Sequence, residues 1–275
     1  MESRTESKAE SAISAHHRAA ADTWSLGGEA YNEISFAVSD ALAHAAQRLD
    51  PRQGEDILDV ATGTGWTARN VARAGARVTG IDIAGDLLSA AQALSAHVQP
   101  PITYRLADAE NLPFPDGRFD GVISTFGVMF AQDQQRAAHE LARVCRTGGR
   151  LVLATWAPDG SVREFFGVLA PYSDAPPPAV SPLAWGNPDH VTRLLGEAFD
   201  LKFEPGINHA YYPDPDDFWN RYTAGFGPLR RLVQALEPAR VESLKRDLAE
   251  YNASYMTEAG LHAKREYLLT IGHRR

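Results

Sequence analysis

Ile57-Leu58-Asp59-Val60-Ala61-Thr62-Gly63-Thr64-Gly65-Trp66-Thr67-Ala68 is the stretch on which the reading of this chain turns. Residues 57–60 are a short, mostly apolar run rich in β-branched side chains, as a strand buried on both faces requires. Small residues and glycines follow, and residues 67–74 read as the start of a helix. Strand, tight turn and helix N-terminus together present backbone N–H groups that a ligand can approach closely. Gly63-Thr64-Gly65-Trp66-Thr67-Ala68 also fits the G-x-G-x-x-G/A dinucleotide pattern. So short a pattern does not tell one nucleoside ligand from another; its surroundings must.

Downstream, residues 76–81 form a second expected strand ending at Asp82, and residues 85–98 a helix rich in Ala and Leu. Further strands are expected over 102–106, 119–125 and, after a Gly148-Gly149 turn, 150–156, with a helix over 132–145. Strands alternating with single helices indicate an α/β fold, a Rossmann-like doubly wound parallel sheet. Ligands on such sheets lie at the carboxyl ends of the strands, near the point where strand order reverses. Asp59, Asp82, Asp108 and Thr125 all fall at or near that edge.

Upstream, residues 16–49 are helical in composition, broken at Leu26-Gly27-Gly28 and stopped by Asp50-Pro51. Ile34, Val38, Leu42, Ala45 and Leu49 recur at helical spacing, so one face is meant to be covered. Trp24 and Tyr31 flank the break, where they either pin the helices to the core or close over a ligand. Beyond residue 157 come a short helix over 161–170 and a proline-rich segment with Pro171, Pro176, Pro177, Pro178 and Pro182. A helix over 187–199, a strand over 201–212 kinked or split at Pro205-Gly206, and helices over 214–252 broken at 225–228 and 237–238 follow. A final strand over 265–273 should return to the sheet.

With 275 residues, 44% of them hydrophobic, the chain can bury a large core. The division expected is one domain: a helical lid over 1–50, a ligand-binding core over 51–157, substrate-side insertions over 158–260 and a closing strand within 261–275. A net charge of −8 offers no electrostatic footprint for nucleic acid. No apolar run has the length of a membrane span, and the polar start has no secretory h-region. Residues 1–12 offer too little apolar surface to offset ordering entropy and are expected to be disordered. Cys145 is the single cysteine, which excludes an intramolecular disulfide and a clustered-cysteine zinc site; no metal is expected. The expectation is a soluble cytoplasmic protein, with a homodimer compatible.

The carboxylates discriminate between ligands. A dinucleotide lays a pyrophosphate on the glycine turn, yet Asp59 stands at its entrance and no Lys or Arg lies between Glu55 and Ala68. Two like charges in a partly dry site repel. A ligand with an ammonium group and a sulfonium would instead welcome Asp59, directly or through water. Asp82, 23 residues on, is placed to accept from two ribose hydroxyls. Asp108 can accept from an exocyclic adenine amine while the Ala109 N–H donates to a ring nitrogen. Each has a plainer alternative: Asp59 as organiser of the turn, Asp82 as a helix cap, Asp108 as a turn residue. Their joint order favours S-adenosylmethionine over NAD.

At this point residues 56–156 resemble the class I S-adenosylmethionine-dependent methyltransferases, particularly the small-molecule branch that includes ubiquinone/menaquinone C-methyltransferases. The carrying motifs are Asp59-Val-Ala-Thr-Gly-Thr-Gly65, Gly80-Ile-Asp-Ile83, Asp108-Ala-Glu-Asn-Leu-Pro-Phe114, Phe119-Asp-Gly-Val-Ile-Ser-Thr-Phe126 and Arg143-Val-Cys-Arg-Thr-Gly-Gly-Arg-Leu151. The resemblance implies a seven-stranded sheet with its last strand antiparallel, S-adenosylmethionine as cofactor and S-adenosylhomocysteine as product. It implies Gly63 and Gly65 under the methionyl part, Asp82 on the ribose, and Asp108 with Ala109 at the adenine. The candidate cofactor set is Tyr31, Asp59, Ala61, Thr62, Gly63, Gly65, Asp82, Ile83, Asp108, Ala109, Glu110 and Thr125. Ala61 departs from the family pattern, where many relatives have glycine. Ser124-Thr125-Phe126-Gly127 replaces the Asn-Pro-Pro-aromatic motif typical of methylation on DNA or protein amide nitrogens, which points to a small-molecule acceptor.

Methyl transfer is an in-line displacement at carbon, so positioning the acceptor is the main demand on the protein. A base is needed only for a nucleophile that arrives protonated. Among His16, His17, His139, His190, His209, Tyr211 and Tyr212, the pair His209 and Tyr211 alternate on one strand face near the expected lid and are the better candidates. Trp185, Phe165, Phe166, Phe218 and Trp219 are candidates to line an acceptor pocket. The alternatives are an NAD(P)-dependent oxidoreductase and a non-catalytic binding protein of the same fold.

Overall fold

A computed structural model describes residues 13–275, so the disorder expected of residues 1–12 lies outside the described residues. The apolar runs become strands β1 (Asp56–Val60), β2 (Arg77–Asp82), β3 (Thr103–Leu106), β4 (Phe119–Thr125), β5 (Cys145–Trp156) and β6 (Phe199–Tyr212). The two-residue β7 (Met256–Thr257) and the long β8 (Gly260–Arg274) complete the set. The sheet order is β3-β2-β1-β4-β5-β8-β6, with β7 beside β8. From β3 through β5 every pairing is parallel, and β8 runs antiparallel to both neighbours. The expected doubly wound sheet with an antiparallel last strand is therefore present. Strand order reverses between β1 and β4, which puts a crevice at their carboxyl ends.

The helices are α1 (Arg18–Ser25), α2 (Tyr31–Phe36), α3 (Ser39–Leu49), α4 (Trp66–Ala72), α5 (Gly85–Leu94), α6 (Gln134–Val144), α7 (Ser161–Leu169), α8 (Pro188–Leu195), α9 (Pro215–Gly225), α10 (Gly227–Ala235) and α11 (Pro238–Ala253). Side-chain caps mark several starts: Asp133 accepts from the Arg136 N–H, Asn187 from Asp189, and Asp214 from Asp217. Two apolar clusters form. The larger fills the space between sheet and helices, with Leu49, Ile57, Leu58, Ile123 and Leu153 fully buried. The smaller joins Ile34 to Phe165, Phe218, Tyr222, Phe226 and Leu244 under the C-terminal helices.

Of the boundaries that differ from expectation, three have plain physical reasons. The apolar face from Ile34 to Leu49 is buried throughout, but residues 37–38 break it into α2 and α3. β5 starts at Cys145 opposite Phe119, and the next pair is Gly121 with Arg150, so Gly148 and Gly149 lie in a bulged stretch of the strand rather than before it. β8 begins at Gly260 because its ladder with β6 continues out to Leu261 opposite Tyr212.

Candidate active site

The turn after β1 is held from beneath by carboxylates. Gly63 and Gly65 take left-handed backbone conformations, φ 56° and 79°, and Gly65 caps α4, accepting the Arg69 N–H at 2.9 Å. A Cβ on Gly65 would run into the Tyr104 hydroxyl, so only glycine fits. The Gly63 N–H donates to Asp82 Oδ2 and the Ala84 N–H to Oδ1, each at 2.9 Å. Asp82 thus braces the turn instead of capping α5, whose flanking residue Ala84 contributes no side-chain bond. Burial raises the Asp82 carboxyl above the usual carboxylate range. Tyr31 lies across the turn: a Cβ on Gly63 would sit 3.3 Å from Tyr31 Cε1. Burial, then the nearby Asp82 charge, raises the Tyr31 phenol.

Asp59 is fully buried below the same turn. Its Oδ2 accepts from Thr62 Oγ1 at 2.6 Å, while Oδ1 has no hydrogen-bond partner among the described residues. Burial pushes its carboxyl up to about 7, against the lowering effect of the Thr62 bond.

At the other end, residues 14–17 strap down over the loop after β3. Asp108 Oδ2 accepts from the Ser14 N–H at 3.1 Å and lies 2.8 Å from His17 Nδ1, while Oδ1 accepts the Glu110 N–H. Glu110 lies 3.0 Å from both His16 Nε2 and His17 Nε2, and it also accepts the Asp133 N–H. The hydrogen bond to Asp108 raises the His17 pKa above its ordinary value despite burial. In turn His17 helps hold Asp108 well below the carboxylate range, overcoming burial. His16, His17 and Glu110 bring their donor atoms within 4.8 Å of one another, a cation-compatible grouping that the sequence reading, expecting no metal, did not anticipate.

Between turn and strap lies a cleft of about 1010 Å³ at the carboxyl ends of β1, β2 and β4. Of the candidate set, Tyr31, Ala61, Thr62, Gly63, Asp82, Ile83, Asp108, Ala109 and Thr125 line it. Asp59, Gly65 and Glu110 do not. Asp59 is beneath the turn, Gly65 is covered by Tyr104, and the Glu110 carboxylate is committed to the strap. His17, Phe126 and Phe130 also line the cleft. His17 had a sequence signal as a histidine and Phe126 as the end of a family motif; Phe130 had none, because its placement follows from the path of the chain after β4.

A second chamber of about 640 Å³ adjoins the cleft and shares Trp24, Tyr31, Val38, Phe126 and Phe130 with it. Phe165, Phe166 and Phe218 line this chamber while also packing in or against the smaller apolar cluster. Trp185 does not: it is fully buried in the main core. Trp219 packs against the smaller cluster without lining either space. The expectation for His209 and Tyr211 needs correction, since neither lines the cleft or the chamber. Alternation along β6 turns Asn208, Ala210 and Tyr212 inward and leaves 209 and 211 outside, where both pack on His262. Tyr211 is 67% exposed.

The family described as "Methyltransferase domain" matches residues 58–153. An uncharacterised protein of Mycobacterium tuberculosis is 34% identical over 250 residues, spanning 85% of this chain and 90% of its own. A demethylmenaquinone methyltransferase of Tropheryma whipplei is 39% identical over 129 residues, 46% of this chain and 53% of its own. Among solved structures, a putative methyltransferase from Bacillus halodurans superposes with a TM-score of 0.58 at 22% identity, covering 84% of this chain and 97% of that one. The chain belongs to the class I S-adenosylmethionine-dependent methyltransferases. It is an enzyme whose cofactor is S-adenosylmethionine and whose cofactor product is S-adenosylhomocysteine. The cleft fits that cofactor: it has carboxylates at both ends, Gly63 of the turn on its wall, and a buried, unpaired carboxylate oxygen below the turn.

Proposed function

We propose that this enzyme methylates a small organic acceptor at O, N or C, with the acceptor held in the chamber beside the cofactor cleft. When bound, S-adenosylmethionine supplies an electrophilic methyl carbon. The methyl carbon would pass to the acceptor with sulfur as the leaving group, so the task left to this chain is to hold the acceptor in line with it. Asp82 would accept from the ribose hydroxyls with the lone pairs its backbone bonds leave free. Asp108 Oδ1 would accept from the adenine amine, with Ala109 beside it. Gly63 and Tyr31 would flank the methionyl part. Asp59 would act on the ammonium group through water, since it does not reach the cleft wall.

The observation that carries the proposal is the common wall of Trp24, Tyr31, Val38, Phe126 and Phe130 between cleft and chamber. An acceptor in the chamber would meet the cofactor there, which answers the positioning demand of the reaction. The chamber's size and aromatic lining suit a small apolar body better than a chain of nucleotides or an exposed peptide. Turnover of cofactor labelled in its methyl group against a metabolite panel, with products identified by mass spectrometry, tests the reading. Label appearing only in protein or nucleic acid would refute it.

A further inference from the structure

Arg265 is a buried cation without a carboxylate. It stands on β8 in the inward series Leu261, Ala263, Arg265, Tyr267 and Leu269, all buried, so the alternation that builds an apolar face has placed a guanidinium within it. The side chain is 7% exposed. Its one hydrogen bond among the described residues runs from Nη2 to Tyr212 Oη at 3.2 Å, and its guanidinium lies 5.8 Å from the centre of the Tyr222 ring. No Asp or Glu of the described residues comes within 4.0 Å of it. Other partly buried arginines are treated differently. Arg143 pairs with Glu140 and Asp116, and Arg150 with Glu55.

Burying an unpaired charge is costly, so a guanidinium kept in such a place needs an anion from elsewhere. Arg265 lines the acceptor chamber and not the cofactor cleft. Four of its five N–H donors remain after the bond to Tyr212. Around it the chamber is aromatic, with Trp156, Phe165, Phe218, Tyr222 and Phe226. We infer that the acceptor is a flat, largely apolar acid whose carboxylate pairs with Arg265, leaving its nucleophilic end at the wall shared with the cleft. A guanidinium fork and a carboxylate match in a two-point geometry, which fixes orientation as well as affinity. This inference rests on the small-acceptor reading above and narrows it to an acid-bearing class.

The test compares 6-hydroxy-2-naphthoate with its primary amide, titrated calorimetrically into protein saturated with S-adenosylhomocysteine. The acid is expected to bind at least about ten-fold more tightly than the amide, the scale of one charge-assisted contact. In Arg265→Met that preference should shrink to less than about two-fold, while S-adenosylhomocysteine affinity stays unchanged. Should Arg265→Met fail to fold, the ratio in the unaltered protein decides alone. Equal binding of acid and amide, or a preference that survives in a folded Arg265→Met, overturns the role of Arg265 and leaves the small-acceptor reading standing. Binding of neither compound, nor of the neutral 2-naphthol, by protein that binds S-adenosylhomocysteine overturns both.

Discussion

His17 Nδ1 lies 2.8 Å from Asp108 Oδ2, joining residues 91 apart in sequence and closing the N-terminal strap over one end of the cofactor cleft. Asp108, Glu110 and His16 all face the His17 ring, with Ser14 bonded to the same Asp108 oxygen. Because the folded pKa of His17 is raised, its ion pair contributes fully below the ordinary histidine value of 6.5 and is lost as pH rises through the higher folded value. Asp108 has the opposite sign: its folded pKa is lowered, so its contribution is present above the ordinary carboxylate value and is lost only as pH falls well below it. The strap should therefore be tightest in mildly acidic solution and loosen toward alkaline pH. Amide hydrogen exchange over residues 13–25 at pH 6 and pH 9, corrected for intrinsic rates, should show weaker protection at the higher pH. His17→Gln should remove most of that difference; equal protection at both values would disprove the coupling.

Asp82→Ala should weaken cofactor binding by about 1–3 kcal/mol, from charge-assisted hydrogen bonds lost to the ribose. The same carboxylate braces the Gly63 and Ala84 N–H groups, so the variant should also melt at a lower temperature. Calorimetric titration with S-adenosylhomocysteine alongside a thermal melt separates the two effects. A melt that drops with no change in dissociation constant would assign Asp82 to the turn alone.

Ala61 and Gly127 face each other so closely that a Cβ on residue 127 would clash with the Ala61 Cβ and carbonyl. Ala61 itself has φ 56°, a left-handed conformation that favours glycine. Gly127→Ala should thus destabilise the fold by about 1–3 kcal/mol through overpacking. Adding Ala61→Gly should recover a large part of that loss, a non-additivity that chemical denaturation of the two single variants and the double variant would measure. Purely additive effects would show that the two residues do not compete for space.

Asp59 carries the other pH signature. Its folded carboxyl is pushed up to about 7 while the unfolded one titrates near the ordinary value of 3.8. Between those values the unfolded chain ionises first, so this group's contribution to stability falls as pH rises from about 4 to 7 and is level above. Asp59→Asn should flatten stability against pH over that interval and raise it at pH 8 relative to the parent, provided the Thr62 bond is kept. Denaturant unfolding at pH 5 and pH 8 provides the readout, and parallel pH profiles for the two proteins would contradict it.

Much of the lining of the cleft was legible in the linear chain because its groups come from consecutive strand ends. Asp59, Gly63, Asp82 and Asp108 each follow an apolar run whose parallel pairing delivers them to one edge. Asp59, Gly65 and Glu110, expected at the ligand, do not line the cleft, since spacing identifies the edge but not the depth of each side chain. His209 and Tyr211 were misplaced by a choice of strand face. On an edge strand next to Pro205-Gly206 the polar-apolar pattern is weak, and only its pairing with β8 settles which residues point inward.

By itself the sequence determined the strand-turn-helix unit, the alternation of strands and helices that makes a parallel sheet, and the placing of Asp82 and Asp108 at one sheet edge. These depend on interactions within a few residues, or on an alternation of elements that allows only one hand of crossover. The tertiary structure alone decided the rest: which histidine meets Asp108, that Trp24 and Tyr31 line both cleft and chamber, and that Arg265 is buried without an acid beside it. Those relationships join residues distant along the chain. They arise from how the helices before residue 50 and the strands and helices after residue 157 pack over one sheet edge, which no local pattern encodes.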